Sequence, residues 1–597
     1  MKLHCRSGTN SGYALLVVLV IGSAAILVFS STVKRTTTVA KLNERNNSWV
    51  KSLNAAEAAT EKVIARMRYD YVYGQDAFVT NNLATYRTYV PTAAENAYWG
   101  NFEFSDGRGN TNRTYVQPIT GRVYTNLTSQ YAGLMGHQTI YRVMSNVRPL
   151  IGTYPVAAAV QQDVETDSIP VFQFAIFYNG LLEFSTAATM TVRGRTHANA
   201  DIYTGSGSPL TFNGTVTTSG TISSPANAGS GPSWTYKGAY NGSPTYRTNV
   251  PVLNLPVGTN NSSAAVHAII EMPPGGEDVN SPLGQQRYYN KAQVVMLVSN
   301  TTVTALIKND PTDTPITITA STWGTNSPQL RTNFPFLSIT NRFRERREAN
   351  KTNFLTQIDV NLYNRWLLTN SSISTKFASS GKYPNIAYVA DNRTPSGTAL
   401  YSVRLINGVS IPTNGTTGFT LATPNALYVW DDYNCPIAAN LGTTNTTGTQ
   451  PSSFACDAFN VLSENWSDSA SFGSYGSQPK AVNTTVNAAM ITGIVPTTGT
   501  TTSTFSGGVH NLPRLLENWS NKTLTLNTSI VCLFNSTMAT NRFVWPGTTY
   551  NPPSRNFNFD NNLATVAKQP PGTPMLSVIL RATWRNPPIN TTNYAGL

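Results

Sequence analysis

Tyr13-Ala-Leu-Leu-Val-Val-Leu-Val-Ile-Gly-Ser-Ala-Ala-Ile-Leu-Val-Phe-Ser-Ser-Thr-Val33 contains no charged residue and no proline. In a helix rising ~1.5 Å per residue such a run spans ~30 Å, the hydrocarbon thickness of a bilayer. A short basic start (Lys2, Arg6) precedes it, and Gly12 stands directly before the apolar core. No later stretch is apolar over a comparable length. The segment predicts a single membrane pass, with the body of the chain exported.

The text after Val33 keeps helical spacing. Lys34, Arg35, Lys41, Glu44 and Arg45 open a polar stretch that meets no proline or glycine before Gly74. Val39, Leu42, Trp49, Leu53, Ala56, Val63 and Met67 recur at steps of an amphipathic helix. Asn54 to Met67 is rich in strong helix formers. Tyr13 to about Tyr71 therefore reads as one helix of roughly 90 Å, apolar first and amphipathic second.

This arrangement resembles the N-terminus of type IV pilin-like proteins over about the first 70 residues. The element Ala55-Ala-Glu-Ala-Ala59 is most similar to PilX-type minor pilins, with K-type pseudopilins of type II secretion as relatives. The resemblance implies cleavage by a prepilin peptidase between Gly12 and Tyr13. It also implies lateral packing of Leu15, Val17, Leu19, Ile21 and Ile26 against other pilin-like subunits. Major pilins carry a glutamate at the fifth mature position, where this chain has Val17, and usually a phenylalanine at the first, where it has Tyr13. Lack of the glutamate implies a minor or tip component, in a pilus or a pseudopilus, that reaches the cell surface on assembly. Two other readings stay open: an uncleaved signal anchor with a helical stalk, and a removed signal peptide cut near Ser23-Ala-Ala25.

Only 12% of the 597 residues are charged, while Asn, Thr, Ser and Gly abound. A body solubilised by hydroxyls and amides suits an extracellular, β-rich protein with many turns. With 35 prolines and 42 glycines the composition is ordinary and not that of a disordered tail. Lys and Arg outnumber Asp and Glu by 42 to 29, but the excess is dispersed and no nucleic-acid motif accompanies it. The densest run, Arg342-Phe-Arg-Glu-Arg-Arg-Glu348, interleaves acids. Cys435 and Cys456 flank a polar loop and are a candidate disulfide; Cys532 reads as a buried thiol, and Cys5 falls in the leader. No metal-ligand spacing occurs and no cofactor is expected.

The expected organisation is a leader (1–12), the helix (13–72), a pilin-like β-rich region (73–170), a β-solenoid segment (171–260), a mixed α/β insertion (261–380) and a second solenoid segment (381–597). Short apolar pairs punctuated by Gly194, Gly205, Gly207, Gly214 and Gly220 suggest the coil of parallel strands. Leu210-Thr-Phe-Asn-Gly-Thr-Val216 parallels Leu524-Thr-Leu-Asn-Thr-Ser-Ile530, which hints that both ends of the body belong to one coil. The fold class is mainly β with a long N-terminal helix; β-sandwich domains are the alternative. Val171–Phe177 and His267–Met272 read as strands, Phe343–Leu368 as a charged run followed by an amphipathic helix, and Leu512–Trp519 as a short capping or turn helix.

No catalytic residue is expected. His197 in Gly194-Arg-Thr-His-Ala-Asn-Ala-Asp201 is the one histidine whose neighbours could serve a base, and His510 lies in a similar turn. Neither Gly-x-Ser-x-Gly nor a phosphate-cradling loop is present. The acids Asp431 and Asp432 are sequence neighbours and so point to opposite faces of a strand. Among tryptophans, Trp99, Trp234, Trp323, Trp430, Trp466, Trp519, Trp545 and Trp584 could include platforms for surface glycans. The expectation is a non-enzymatic pilin-like component. A glycan-binding anchored adhesin, or a polysaccharide-degrading solenoid, is the alternative.

Overall fold

The computed structural model describes residues 11–128, 131–184, 189–205, 208–223, 238–242, 245–322, 327–378, 381–394, 397–413, 417–498, 504–544 and 546–588. Helix α1 runs over Ser11–Asn81 and breaks at Gly74 and Gln75, where the torsions leave the helical region (φ −141°, ψ 18° and φ 58°, ψ −160°). The break falls on the first glycine after the apolar segment. A Cβ at Gly74 would meet Phe78 at 2.7 Å, so the bend needs this glycine.

The second half of α1 packs on an antiparallel sheet. Its strands are β1 (Phe102–Ser105), β2 (Tyr115–Pro118), β3 (Val123–Asn126), β4 (Met135–Pro149) and β5 (Ala158–Pro170). β1, β2 and β3 pair in turn along β4, and β4 pairs with β5. The last strand, Met575–Arg585, returns to pair antiparallel with β5, from Met575↔Pro170 to Arg585↔Gln161. The helix-bearing unit therefore uses both ends of the body.

Alternation along β5 decides what touches the helix. Gln162 donates to Thr60 Oγ1 at 2.8 Å, Thr166 donates to Asp76 Oδ1 at 2.9 Å, and Ser168 lies 2.8 Å from the Tyr71 hydroxyl. Val164 sits between them in a core with Val63, Met67, Tyr71, Val116 and Val143. Nearer the apolar half of α1, Ala55, Ala56 and Ala59 pack against Phe102, Phe104, Val147 and Val160. The alanines let the helix approach the sheet closely.

Beyond β5 most body strands run parallel. Ile176 pairs with Thr196 and Thr196 with Val216, Leu182 with Ile202 and Ile202 with Ile222, and Met190 with Leu210. Each of these pairings advances the chain by the same step, 20 residues between Ile176 and Thr196. From Ile386 onward the steps lengthen, to 33 between Phe419 and Ser452 and 40 between Met490 and Ile530. The two series meet where Ile530, Val531 and Cys532 pair parallel with Ile176, Phe177 and Tyr178. The two similar phrases do not share a sheet over their length: Leu210–Phe212 and Thr523–Thr528 belong to separate three-stranded sheets, and only the strands that begin at their last residues, Val216 and Ile530, lie in the long sheet. Among the described residues no set of strands closes into a barrel.

Asparagines stack along this body. Asn527 donates to Asn487 Oδ1 at 2.7 Å, Asn558 donates to Asn527 Oδ1 at 3.5 Å, and Arg193 donates to Asn558 Oδ1 at 3.2 Å. These asparagines satisfy one another from strand to strand, one way in which so polar a composition builds an interior.

Several local expectations are corrected. Val171–Gln173 is a 3-10 turn after Pro170 rather than a strand, because the chain there turns from one sheet to the next. His267 to Ile270 is helical: the Ser262 hydroxyl accepts from Ala265 N–H and caps Ser263–His267. Lys351–Asp359 is a strand, and the helix starts only after Asp359 caps it at Leu362 N–H. Leu512–Trp519 is not helical; Arg514 and Asn518 form bridges to Asn460, Lys480 and Asn551 instead. The region expected as an insertion contributes Val294–Val298 to the long sheet beside Ile386–Asp391 and Lys351–Asp359 to another beside Ala399–Ile406.

Candidate assembly helix and its surroundings

Among the described residues the apolar half of α1 has no packing partner. Leu15, Val17, Leu19, Ile21 and Ile26 are each half exposed or more, and Tyr13 still more so. A Cβ at Gly22 would meet nothing within 4 Å. By length and composition this part of the helix suffices to cross a membrane. Several of its hydroxyls are satisfied within the helix. Ser23 donates to Leu19 O at 2.7 Å and Thr32 to Phe29 O at 2.8 Å, and Thr36, Thr37 and Thr38 bond back to the preceding turn in the same way. Gly12 lies inside α1, next to Tyr13, while Lys2, Cys5 and Arg6 lie outside the described residues.

The body first touches α1 at Ser48 and Ser52. Ser52 donates to Val156 O at 2.7 Å, and Val156 N–H donates to Ser48 Oγ at 3.2 Å. Further along, Lys62 pairs with Glu95 at 2.7 Å and Arg66 with Asp70 at 3.1 Å, while Tyr86 donates to Asp70 Oδ2 at 2.7 Å. Beyond the break, Asp76 pairs with Arg122 at 3.0 Å. On the far face of β5, Asp167 is fully buried and neither oxygen has a hydrogen-bond partner. Burial, and then the nearby Glu165 carboxylate, push its pKa up to about 7.

The side chains that raised enzymatic readings are interior. His197 is 0% exposed, held 2.8 Å from Thr217 Oγ1 and 2.9 Å from Asn199 Oδ1 and stacked on Phe177; burial lowers its pKa to about 4. His510 is lowered to about 3, again by burial. The charged run folds inward: Arg514 pairs with Glu348 at 2.5 Å, Tyr428 donates to Glu345, and Arg347 donates to Asn511. Trp466 and Trp519 are buried and Trp430 lies against the Arg404 guanidinium. Trp584 is exposed, while Trp234, Trp323 and Trp545 lie outside the described residues. A feature missed in sequence is His267, buried between Glu271 (2.7 Å) and Asp457 (2.9 Å). Among the described residues no group of His, Cys, Asp or Glu has metal-binding geometry.

The candidate disulfide is not formed. Cys435 and Cys456 are separate free thiols. Asn434, next to Cys435, bonds Gln450 O at 2.8 Å before the strand Ser452–Ala455 begins, and Cys456 follows that strand's end. About 13 Å of extended chain lies between the two positions, beyond the reach of an S–S bond. Cys532 is buried, as expected, and its pKa is raised to about 12 by burial.

No family model matches this chain, and no curated protein does. Among solved structures, the competence-associated pilin ComZ from Thermus thermophilus aligns at 10% identity over 90% of this chain and 97% of that one, with a TM-score of 0.25. A score of that size is below what a shared fold gives.

Proposed function

We propose that the chain is a non-enzymatic, PilX-type minor pilin-like subunit of a type IV pilus or a type II secretion pseudopilus. The observation that carries this reading is the division of α1: the helix, unbroken up to Gly74, has an apolar half without partners among the described residues and a second half fixed to a sheet. Such a helix holds the precursor in the inner membrane and then packs, through Leu15, Val17, Leu19, Ile21 and Ile26, against helices of other subunits. Without hydrophobic drive inside a bilayer, that association rests on close side-chain packing. Val17 offers no charge to a neighbour's terminal amine, which favours a tip position.

The body is read as a β-solenoid displayed outside the membrane. Its recurring 20-residue step and parallel pairing support this, whereas β-sandwiches are built from antiparallel sheets. Terminal sequencing of the native protein tests the proposal. A mature end at Tyr13, retention of the precursor in Gly12→Phe, and co-purification of pilin-like subunits are expected. An end at Met1, or after Ala25, would remove it.

A further inference from the structure

The lower edge of the helix–sheet unit, on the side of the apolar half of α1, is unusually apolar for a surface. The turn from β4 to β5 exposes Leu150 at 56% and Ile151 at 64%. Leu150 N–H donates to Asn101 O at 2.8 Å, which ties this turn to the short helix Ala97–Asn101. That helix brings Tyr98, 48% exposed, and the half-buried Trp99, whose rings lie 5.2 Å apart. An aliphatic pair beside a Tyr–Trp pair is the composition of a surface seated at a bilayer interface.

The stretch of α1 that crosses the gap is basic on one side. Lys34, Lys41 and Arg45 are spaced by seven and four residues, and Ser48 and Ser52 continue the same helical row. Ser48 and Ser52 touch Val156, so this row marks the side of the helix over which the body hangs. Glu44 is the one acid between Val33 and Val50. The cations therefore line the space beneath Leu150, Ile151 and Tyr98.

We propose that this rim docks on an anionic membrane surface while the subunit is anchored. Leu150, Ile151 and the Tyr98–Trp99 pair enter the headgroup layer, and Lys34, Lys41 and Arg45 hold acidic lipid phosphates. The inference rests on the reading of Tyr13–Val33 as a membrane span. From Val33 to Ser48 an upright helix rises ~22 Å, of which the headgroup layer occupies ~5–8 Å. Tilting toward the basic side, within the ~0–40° found for spanning helices, shortens that rise by up to about 5 Å and lowers the overhanging rim by on the order of 10 Å more, to the depth of the headgroup layer. Long Lys and Arg side chains bridge the rest by reaching toward the phosphates. A second copy of the chain would explain the apolar residues but not a cation row on the same side.

The test uses the full chain with Cys5→Ser and one reporter, Ile151→Cys, carrying a nitroxide; the remaining native thiols are buried. Val409→Cys, on the exposed surface of the body, is the aqueous control. The protein is placed in phosphatidylcholine vesicles with and without phosphatidylglycerol, and accessibility to a water-soluble nickel chelate is measured. The expected result is a several-fold drop at Ile151 in the anionic vesicles alone, lost on Lys34→Gln, Lys41→Gln, Arg45→Gln. Equal accessibility at both labels, or a drop that ignores lipid charge, overturns the proposal. The drop should persist with one copy per anionic nanodisc; its disappearance there would mean that a second copy covers the rim. Flotation of the protein with vesicles separates the two readings. A chain that fails to float sinks the membrane span, whereas a chain that floats with Ile151 open to the chelate sinks only the rim.

Discussion

The two halves of α1 are one helix with opposite relations to the rest of the chain. Before Ser48 its side chains are almost all exposed, whatever their polarity; after it, Ser52, Ala55, Ala56, Ala59, Val63, Met67 and Tyr71 are buried. Helix formation is alike in both, so propensity does not distinguish them. What differs is the surface each half is shaped to meet. The second half offers small residues and placed hydroxyls to a sheet. The first begins with the uncharged run Tyr13–Val33, in which Ser23 and Thr32 turn their hydroxyls back on the helix's own carbonyls, which suits a surrounding that donates and accepts no hydrogen bonds.

The largest test of that contrast is a pair of truncations. Met67→Ala removes a fully buried side chain from the helix–sheet core and is expected to cost ~2–5 kcal/mol. Leu19→Ala, on the exposed half, should change the stability of the body by less than ~0.5 kcal/mol. Thermal unfolding of the two full-length variants in detergent, followed by near-ultraviolet circular dichroism, reads both. Equal shifts would mean that the halves are not energetically separate.

A second test asks which face of β5 limits the docked half. Asp167 faces away from the helix, and its folded pKa of about 7 lies above the reference value of 3.8. A carboxyl raised in this way favours folding through its protonated form. Its contribution is complete below about 3.8 and is lost as pH rises through about 7. Asp167→Asn should therefore flatten the fall in stability between those limits. At pH 8 it should gain ~1–2 kcal/mol, less than the full linkage because the new amide is also buried without partners. A pH profile unchanged by the substitution would show that Asp167 is solvated.

The sequence disclosed α1 better than the surface it packs on. Strong helix formers over Asn54–Met67 and a first glycine at Gly74 mark the helix and its break. β5 is another matter: Gln161-Gln-Asp-Val-Glu-Thr-Asp-Ser168 shows no apolar alternation, yet all of β5 is buried. Its polar groups are matched by residues far away in the chain, such as Thr60, Asp76 and Arg585. No local pattern encodes such partners, and the return of Met575–Arg585 to β5 is hidden for the same reason. The 20-residue step went unread because strands such as Leu182–Glu183 and Ile202–Tyr203 are too short to show periodicity. His267–Met272 reads as a strand because so short an apolar run does not separate strand from helix, whereas the structure caps Ser263–His267 with Ser262. Spacing between Cys435 and Cys456 carried no information on the strand that separates them.

The finest test compares one residue type in both halves. Ser23 and Ser52 each donate to the carbonyl four residues back, Leu19 O at 2.7 Å and Ser48 O at 3.1 Å. Only Ser52 also reaches across to the body, at Val156 O. Ser52→Ala removes the partner of a buried carbonyl and should cost ~1 kcal/mol, seen as faster hydrogen exchange over residues 150–157. Ser23→Ala loses a bond that serves only its own turn and should leave that segment unchanged. If both substitutions loosen the turn equally, the boundary between the halves does not lie at Ser48. If only Ser52→Ala does, the first contact of the body with α1 is also where the free helix ends.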